Sequence, residues 1–241
     1  MANINRGYQR FLAVGCSHGH LADPKALAAV LRVSADFKPH TRIHLGDYTD
    51  QAAFRGGAKG TPDECSSIKD DLTAGLNFLE QFDFTHLLNG NHEHRLWKLA
   101  GHHNEIVSRA ASTVITEICD LARKKKAVHI DHYDINRSFL RFGDTVFAHG
   151  WMYNVQAIRD HAEHFGKCVI AHLHRVGQEP GRGVNRPTGY CVGFLGDLQK
   201  FGYAETRRAT SQWSQGYAKG EYNDRDCKIW LRRLDDSTGG L

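Results

Sequence analysis

Short apolar runs that stop abruptly at polar residues alternate along this chain with stretches of helical period. Phe11 to Val14, Ile43 to Leu45, Leu87 to Leu88, Val146 to Ala148 and Val169 to Ala171 are too brief for helices and rich in bulky or β-branched side chains, so they read as strands. Between them the apolar positions recur every three or four residues. Pro24 to Val33 carries Leu27, Val30 and Leu31, and Glu64 to Phe82 carries Ile68, Leu72, Leu76 and Leu79. Asn104 to Lys126 carries Val107, Ala111, Val114, Ile115, Ile118 and Leu121, and a further helix is predicted over about Val155 to Phe165. Alternation of this kind predicts an α/β architecture with functional groups beyond the carboxyl ends of strands. Past His174 the chain turns Gly-rich and aromatic, with a strand predicted over Tyr190 to Leu195. Trp213 to Tyr222 and Cys227 to Leu234 read as strands of a hairpin closed by Asn223-Asp224-Arg225-Asp226, and Asp235 to Leu241 reads as a frayed tail.

A chain of 241 residues, 41% hydrophobic and 24% charged, is expected to form one domain over 1–241, with the hairpin at about 213–234. No stretch reaches the ~18 consecutive apolar residues of a membrane span. Met1 to Arg10 is polar and lacks the apolar core of a signal peptide, so the expectation is a cytoplasmic protein without a membrane partner. Six cysteines without C-x-x-C pairing indicate reduced thiols, not a disulfide framework or a zinc finger. The formal charge of +4 suits an anionic substrate. The basic run Arg123-Lys124-Lys125-Lys126 closes a predicted helix, where cations complement the helix dipole, and reads as a solvated end in preference to a nucleic-acid patch. With 16 histidines, an apparent metal ligand arises easily by chance, so position has to discriminate.

Five segments at strand ends do so: Cys16-Ser17-His18, Gly46-Asp47-Tyr48-Thr49-Asp50, Gly90-Asn91-His92-Glu93, His149-Gly150 and His172-Leu173-His174. Two neighbouring divalent ions need a shared anionic bridge, which one Asp can supply while neutral His and Asn fill outer positions. Asp47 is the natural bridge. Alternate residues of a strand point the same way, so Cys16-x-His18 and His172-x-His174 can converge.

The order of these segments resembles the calcineurin-like metallophosphoesterase superfamily, whose pattern runs Asp-x-His, Gly-Asp-x-x-Asp, Gly-Asn-His-Asp/Glu, His, then Gly-His-x-His. The match covers residues 11 to 175, and the compact tail with Trp213-Ser214-Gln215-Gly216-Tyr217 is similar to that of short bacterial and phage members. The resemblance implies an α/β fold of two packed mixed β-sheets flanked by helices, an αββα sandwich. It implies a phosphoester hydrolase, either a phosphodiesterase or a phosphatase, using metal-bound hydroxide. Two divalent transition-metal ions (Mn, Zn or Fe) would form a dinuclear centre. By motif, His18, His174 and Asp47 would hold the first ion, and Asp47, Asn91, His149 and His172 the second. His92 would protonate the leaving group, oriented by Asp50.

Two positions depart from the pattern: Cys16 stands in place of Asp, and Ala171 in place of Gly. A thiolate at Cys16 would favour Zn or Fe; alternatively Cys16 is a protonated, buried thiol and the first site is weakened, with His20 assisting. The Ser/Thr protein phosphatase branch is similar at Glu93 and over residues 46–50, but Gln51 replaces its Arg. Some members of the fold have lost their metals and act as scaffolds, which Cys16 favours and His92, Asp50 and Asn91 oppose.

Arg95, opening a helix after Gly-Asn-His-Glu, is the foremost substrate-binding candidate, since a guanidinium suits phosphate oxygens. Arg182 and Arg186 are weaker ones, and the Gly-rich segment Gln51 to Asp63, with Arg55 and Lys59, reads as a solvent loop in preference to a mobile phosphate-facing one. The expected partner is a phosphate ester, small or derived from a nucleotide or nucleic acid. The hairpin edge near Trp213 could pair with a second subunit, though nothing requires an oligomer. His161 and His164 are expected at the surface, and His20, His44, His86, His94, His102 and His103 at the surface or in packing.

Overall fold

The computed structural model describes residues 7–202 and 208–234, so the polar start at 1–6 and the tail expected to fray at 235–241 lie outside the described residues. Among the described residues eleven strands form two mixed sheets. The first has six strands in the order β11-β10-β1-β2-β3-β4, where β1 is Gln9–Val14, β2 Thr41–His44, β3 His86–Leu88, β4 Val128–Ile130, β10 Gly216–Tyr222 and β11 Cys227–Arg233. β1 to β4 run parallel, and β10 is antiparallel to β1. The second sheet has five strands in the order β5-β6-β7-β9-β8, namely β5 Phe139–Phe142, β6 Thr145–Ala148, β7 Cys168–Ile170, β8 Val176–Pro180 and β9 Thr188–Val192. Its centre is parallel and its edges, β5 and β8, antiparallel.

Alternation along the strands divides the core into layers. Phe11 and Ala13 of β1, with Ile43, Leu45 and Leu88, face Phe147, Val169, Ala171, Val192 and Phe194 of the other sheet. Phe11 meets Phe147 edge-on at 5.1 Å between ring centroids. The alternate residues Leu12 and Val14 face outward onto α1 (Pro24–Phe37), α2 (Ile68–Phe82), α3 (Asn91–Leu99) and α4 (Glu105–Lys124) through Val30, Phe78, Leu79, Leu96, Val114 and Ile118. Val146, Ala148, Cys168 and Ile170 pack their outer side on Ile158 and Ala162 of α5 (Ala157–Phe165). Strands covered on both faces need no polar alternation, which is why these runs are continuously apolar. The result is the αββα sandwich that the resemblance implies.

Local chemistry fixes the boundaries. Asp23 caps α1 by accepting from Lys25 N–H, with Pro24 in the first turn. The second helix begins at Ile68, not at Glu64, because Ser67 accepts from Asp70 N–H and caps it there; Pro62–Cys65 is a separate 3-10 turn. The strand expected over 190–195 occupies 188–192, and the one expected from Trp213 starts at Gly216. The hairpin closes where the turn tetrad places it, with Tyr222 opposite Cys227 and Asn223 N–H donating to Asp226 O. The basic end of α4 meets acids of α2, Lys124 on Glu80 at 2.7 Å and Lys125 on Asp83 at 2.8 Å. Among the described residues no helix is long and apolar enough to cross a membrane.

Candidate metal centre

The loops that follow β1, β2, β3, β6 and β7 carry the five polar segments. Hydrogen bonding continues past the ends of β1 and β2: Cys16 N–H donates to Gly46 O, His18 N–H to Asp47 O and Gly19 N–H to Tyr48 O. Five residues here hold left-handed backbone without being glycine, namely Cys16 (φ 53°), His18 (54°), Asp47 (55°), His172 (63°) and His174 (57°). Such conformations are costly for a side-chain-bearing residue and persist where surrounding contacts over-determine them. Glu93 supplies some of those contacts. From the first turn of α3, fully buried, it accepts from the N–H groups of Asp47, Thr49 and Gly90 and from the Thr49 hydroxyl. Gly90 has to be glycine, since a Cβ there would lie 2.1 Å from Asp47 Oδ1.

Two groups of donor atoms that share Asp47 result, Cys16, His18, Asp47 and His174 in one and Asp47, His149 and His172 in the other, while His18, Asp50 and His92 form a third without it. Asn91 joins the second through Oδ1, 3.1 Å from His149 Nε2. His149 Nδ1 donates to Leu45 O at 2.8 Å, which turns Nε2 toward Asn91 and toward Asp47 Oδ2 at 3.1 Å. Three electron-rich atoms converge there, an arrangement that a cation or a proton between them makes favourable. On the other side His18 and His174 face each other Nε2 to Nε2 at 3.0 Å, and His174 Nδ1 is buried without a hydrogen-bond partner. The residues therefore fit a pair of divalent ions: they supply buried imidazoles, a shared carboxylate and an orphaned polar atom, with a carboxylate behind one histidine.

That second carboxylate is Asp50, whose Oδ1 lies 3.0 Å from His18 Nδ1 and 3.2 Å from His92 Nδ1. His92 Nδ1 also donates to Asp50 O at 2.8 Å, leaving Nε2 toward the centre, 3.9 Å from Asp47 Oδ2. Burial works against the charged form of His92, but Asp47 and Asp50 outweigh it and push the imidazole up to about 9. Burial would raise Asp47, yet His149 and His92 hold it well below the usual carboxylate range. Burial drives His172 down to about 3, and His174 well below its ordinary value, with His149 and His18 adding to the respective shifts. Neutral imidazoles are the form that binds metal. Cys16 is buried and accepts from His172 N–H at 3.2 Å; burial and then Asp47 push its thiol well up, so a soft cation is what would draw the proton from it.

All nine residues read from the strand ends thus meet in one place: Cys16, His18, Asp47, Asp50, Asn91, His92, His149, His172 and His174. Arg95 borders them, its Nη1 3.4 Å from Asp50 O and 3.3 Å from Gln51 O. Arg182 does not join them, because its guanidinium is engaged with Glu163 at 2.9 Å. His161 corrects the surface expectation. It is fully buried on α5, donating from Nδ1 to Ala157 O and accepting at Nε2 from Trp151 N–H at 2.9 Å. His44 is a packing residue bonded to Ser17 Oγ, and His20 turns to Asp71 Oδ1 at 2.8 Å. Asp71 escapes sequence reasoning altogether. Buried in the first turn of α2, it accepts from the N–H groups of Asp50 and Gln51 and from Gln51 Nε2. Its one sequence signal is a carboxylate beside Leu72 on the stripe that α2 buries.

No family model matches the chain, and no curated protein matches its sequence. Solved structures similar to it include a conserved uncharacterized protein of Streptococcus pneumoniae TIGR4 called a predicted phosphoesterase, at 16% identity and a TM-score of 0.38, covering 95% of this chain and 91% of that one. Yfce, a phosphoesterase from E. coli, is 12% identical with a TM-score of 0.40, over 92% of this chain and 98% of that one. Vps29 from Entamoeba histolytica, complexed with zinc, is 10% identical with a TM-score of 0.46, over 95% and 94%.

Proposed function

We propose that this chain is a metal-dependent phosphoester hydrolase of the calcineurin-like metallophosphoesterase type. The observation that carries the reading is the membership of Asp47 in two adjacent donor groups, which is what a pair of ions sharing one carboxylate requires. Divalent ions bound there would supply Lewis acidity, activating water and neutralising phosphoryl oxygens.

The chain's own residues do the rest. His18 and His174 with Cys16 and Asp47 would hold one ion, and His149, His172, Asn91 and Asp47 the other. His92, kept protonated by Asp47 and Asp50, faces the centre with Nε2 and gives its proton to the departing alkoxide. Asp50 orients that ring through Nδ1 and fixes His18 at the same time. Arg95 draws the substrate's phosphoryl oxygens toward the mouth.

The test is metal analysis of the purified protein together with hydrolysis of mono- and bis-nitrophenyl phosphate after loading with Mn, Zn or Fe. Close to two ions per chain and turnover that chelation abolishes are expected. Absence of both binding and turnover would overturn the reading and leave the fold as a scaffold.

A further inference from the structure

Asp71, buried in the first turn of α2, gathers donors from two loops of the site. Its Oδ2 accepts from Asp50 N–H at 3.0 Å, Gln51 N–H at 2.9 Å and Gln51 Nε2 at 2.8 Å. Its Oδ1 accepts from His20 N–H at 3.3 Å and His20 Nδ1 at 2.8 Å. A carboxylate this deep is costly unless it is well bonded, and its partners tie the loop after β1 to the loop after β2. One of these bonds reaches further. Gln51 N–H and Asp50 C=O belong to the same peptide unit, which is planar and trans, so they point opposite ways. The N–H meets Asp71 Oδ2, and the carbonyl accepts from His92 Nδ1 at 2.8 Å. Asp71, the peptide and the imidazole thus form one line of hydrogen bonds, in which an anion at one end makes the carbonyl a stronger acceptor at the other. Arg95 Nη1 closes the carbonyl side, 3.4 Å from Asp50 O and 3.3 Å from Gln51 O. Gln51 itself holds left-handed backbone, φ 51°, which a side-chain-bearing residue keeps where its contacts over-determine it.

We propose that Asp71 is a positioning residue for the leaving-group acid: through the Asp50–Gln51 peptide it fixes His92 Nδ1, and with it the aim of Nε2 at the leaving oxygen. The inference rests on the phosphoester-hydrolase reading and adds a residue to it. His92 Nδ1 is gripped by one residue twice, by the Asp50 carbonyl at 2.8 Å and by its carboxylate at 3.2 Å. Asp71 holds the N–H groups on either side of the Asp50 α-carbon, so it sets the direction of both grips at once. Ser67 caps the same turn of α2 by accepting from Asp70 N–H, which makes it the control for stability alone.

The experiment compares kcat of the metal-loaded protein on phenyl and 4-nitrophenyl phosphate, or on the corresponding diesters. Phenolate is a poor leaving group that needs a proton, whereas 4-nitrophenolate departs with little help. Asp71→Asn, which turns an amide toward donors, should lower the phenyl-to-nitrophenyl ratio of kcat about tenfold with KM nearly unchanged. Ser67→Ala loosens the same turn of α2 and should lower the melting temperature while leaving the ratio at the wild-type value. If Asp71→Asn does not fold, Asp71→Glu keeps the charge while displacing the oxygens, and the same fall is expected. An unchanged ratio in a folded Asp71 variant overturns the proposal, as does an equal fall with Ser67→Ala. Proton NMR of the protein as purified gives a readout that needs no turnover. His92 Nδ1–H should appear as a downfield, slowly exchanging resonance, assigned by its absence from His92→Asn, and Asp71→Asn should move it upfield and hasten its exchange. If the wild type hydrolyses neither ester, the hydrolase reading fails and this resonance decides the placement of Asp71. A signal altered by Asp71→Asn upholds its grip on His92, and an unaltered one overturns it.

Discussion

His18 and Asp50 are joined by a 3.0 Å contact from Nδ1 to Oδ1, and the same oxygen lies 3.2 Å from His92 Nδ1, so one carboxylate holds both the proposed ligand and the proposed acid. Asp50→Asn removes the charge on which both imidazoles rest. Turnover should fall about 100-fold or more, with weaker metal retention as well. His92→Asn should lower turnover by about 100-fold while leaving metal content at the wild-type level. Metal analysis beside single-turnover rates separates the two; equal metal loss in both variants would break the assignment.

Asp47 is common to both donor groups, so Asp47→Asn should cost both ions and not one. Titration of the apoprotein with zinc, followed calorimetrically, reads the stoichiometry directly. Retention of a single tight site would show that the two groups do not share this carboxylate.

Cys16 stands where its three neighbours can share one ion with it. Loading with Co²⁺ should produce a near-ultraviolet thiolate-to-metal band that Cys16→Ser abolishes, and Cys16→Asp should shift preference from zinc toward manganese. A spectrum unchanged by Cys16→Ser would make the sulfur a spectator.

His161 predicts a pH dependence of stability. Burial chiefly holds its pKa below the ordinary 6.5, so the folded chain keeps it neutral while the unfolded chain takes up a proton at 6.5. Below that value the unfolded state binds more protons. The contribution of His161 is therefore full above pH 6.5 and is lost as pH falls from there toward its lowered value. His161→Leu, which loses the bonds to Ala157 and Trp151, should melt about 2–10 °C lower at pH 7.5, for a loss of about 1–3 kcal/mol. The gap should narrow at pH 5. Thermal melts at the two pH values check this, and a gap that widens in acid would reverse the sign.

Gly90→Ala would drive a methyl against Asp47 Oδ1 and His149 Cε1. Overpacking at this point should cost about 1–3 kcal/mol and displace the shared carboxylate, with lost metal binding as the more sensitive readout.

The strand ends were legible because their chemistry is local: a short apolar run followed by His, Asp or Asn is visible without knowing its neighbours. The α/β alternation was legible in the periodicity of the runs, whereas the division into two packed sheets came only with the resemblance, because continuous apolar runs mark strands covered on both faces without saying how many sheets they form. Asp71 and the deep burial of His161 were not, since each is decided by what another segment brings to it: backbone N–H groups of residues 50–51 in one case, Trp151 in the other. β4, β5 and β8 were missed on composition; β5, Phe139–Phe142, is four residues interrupted by Arg141. Val128–Ile130 is three residues beside a basic run, and Val176–Pro180 carries a Gly and ends in a Pro, which only an edge strand tolerates.

The left-handed turns at Cys16, His18, Asp47, His172 and His174 are tied into the loops by backbone hydrogen bonds, Cys16 N–H to Gly46 O and His18 N–H to Asp47 O among them. A cage that stands ready does not need to refold when its occupant changes, so ions of similar size should exchange on the timescale of their own release. If Cys16 is a ligand as proposed, selectivity would pass to the softness of one sulfur and to whichever metal is supplied in excess.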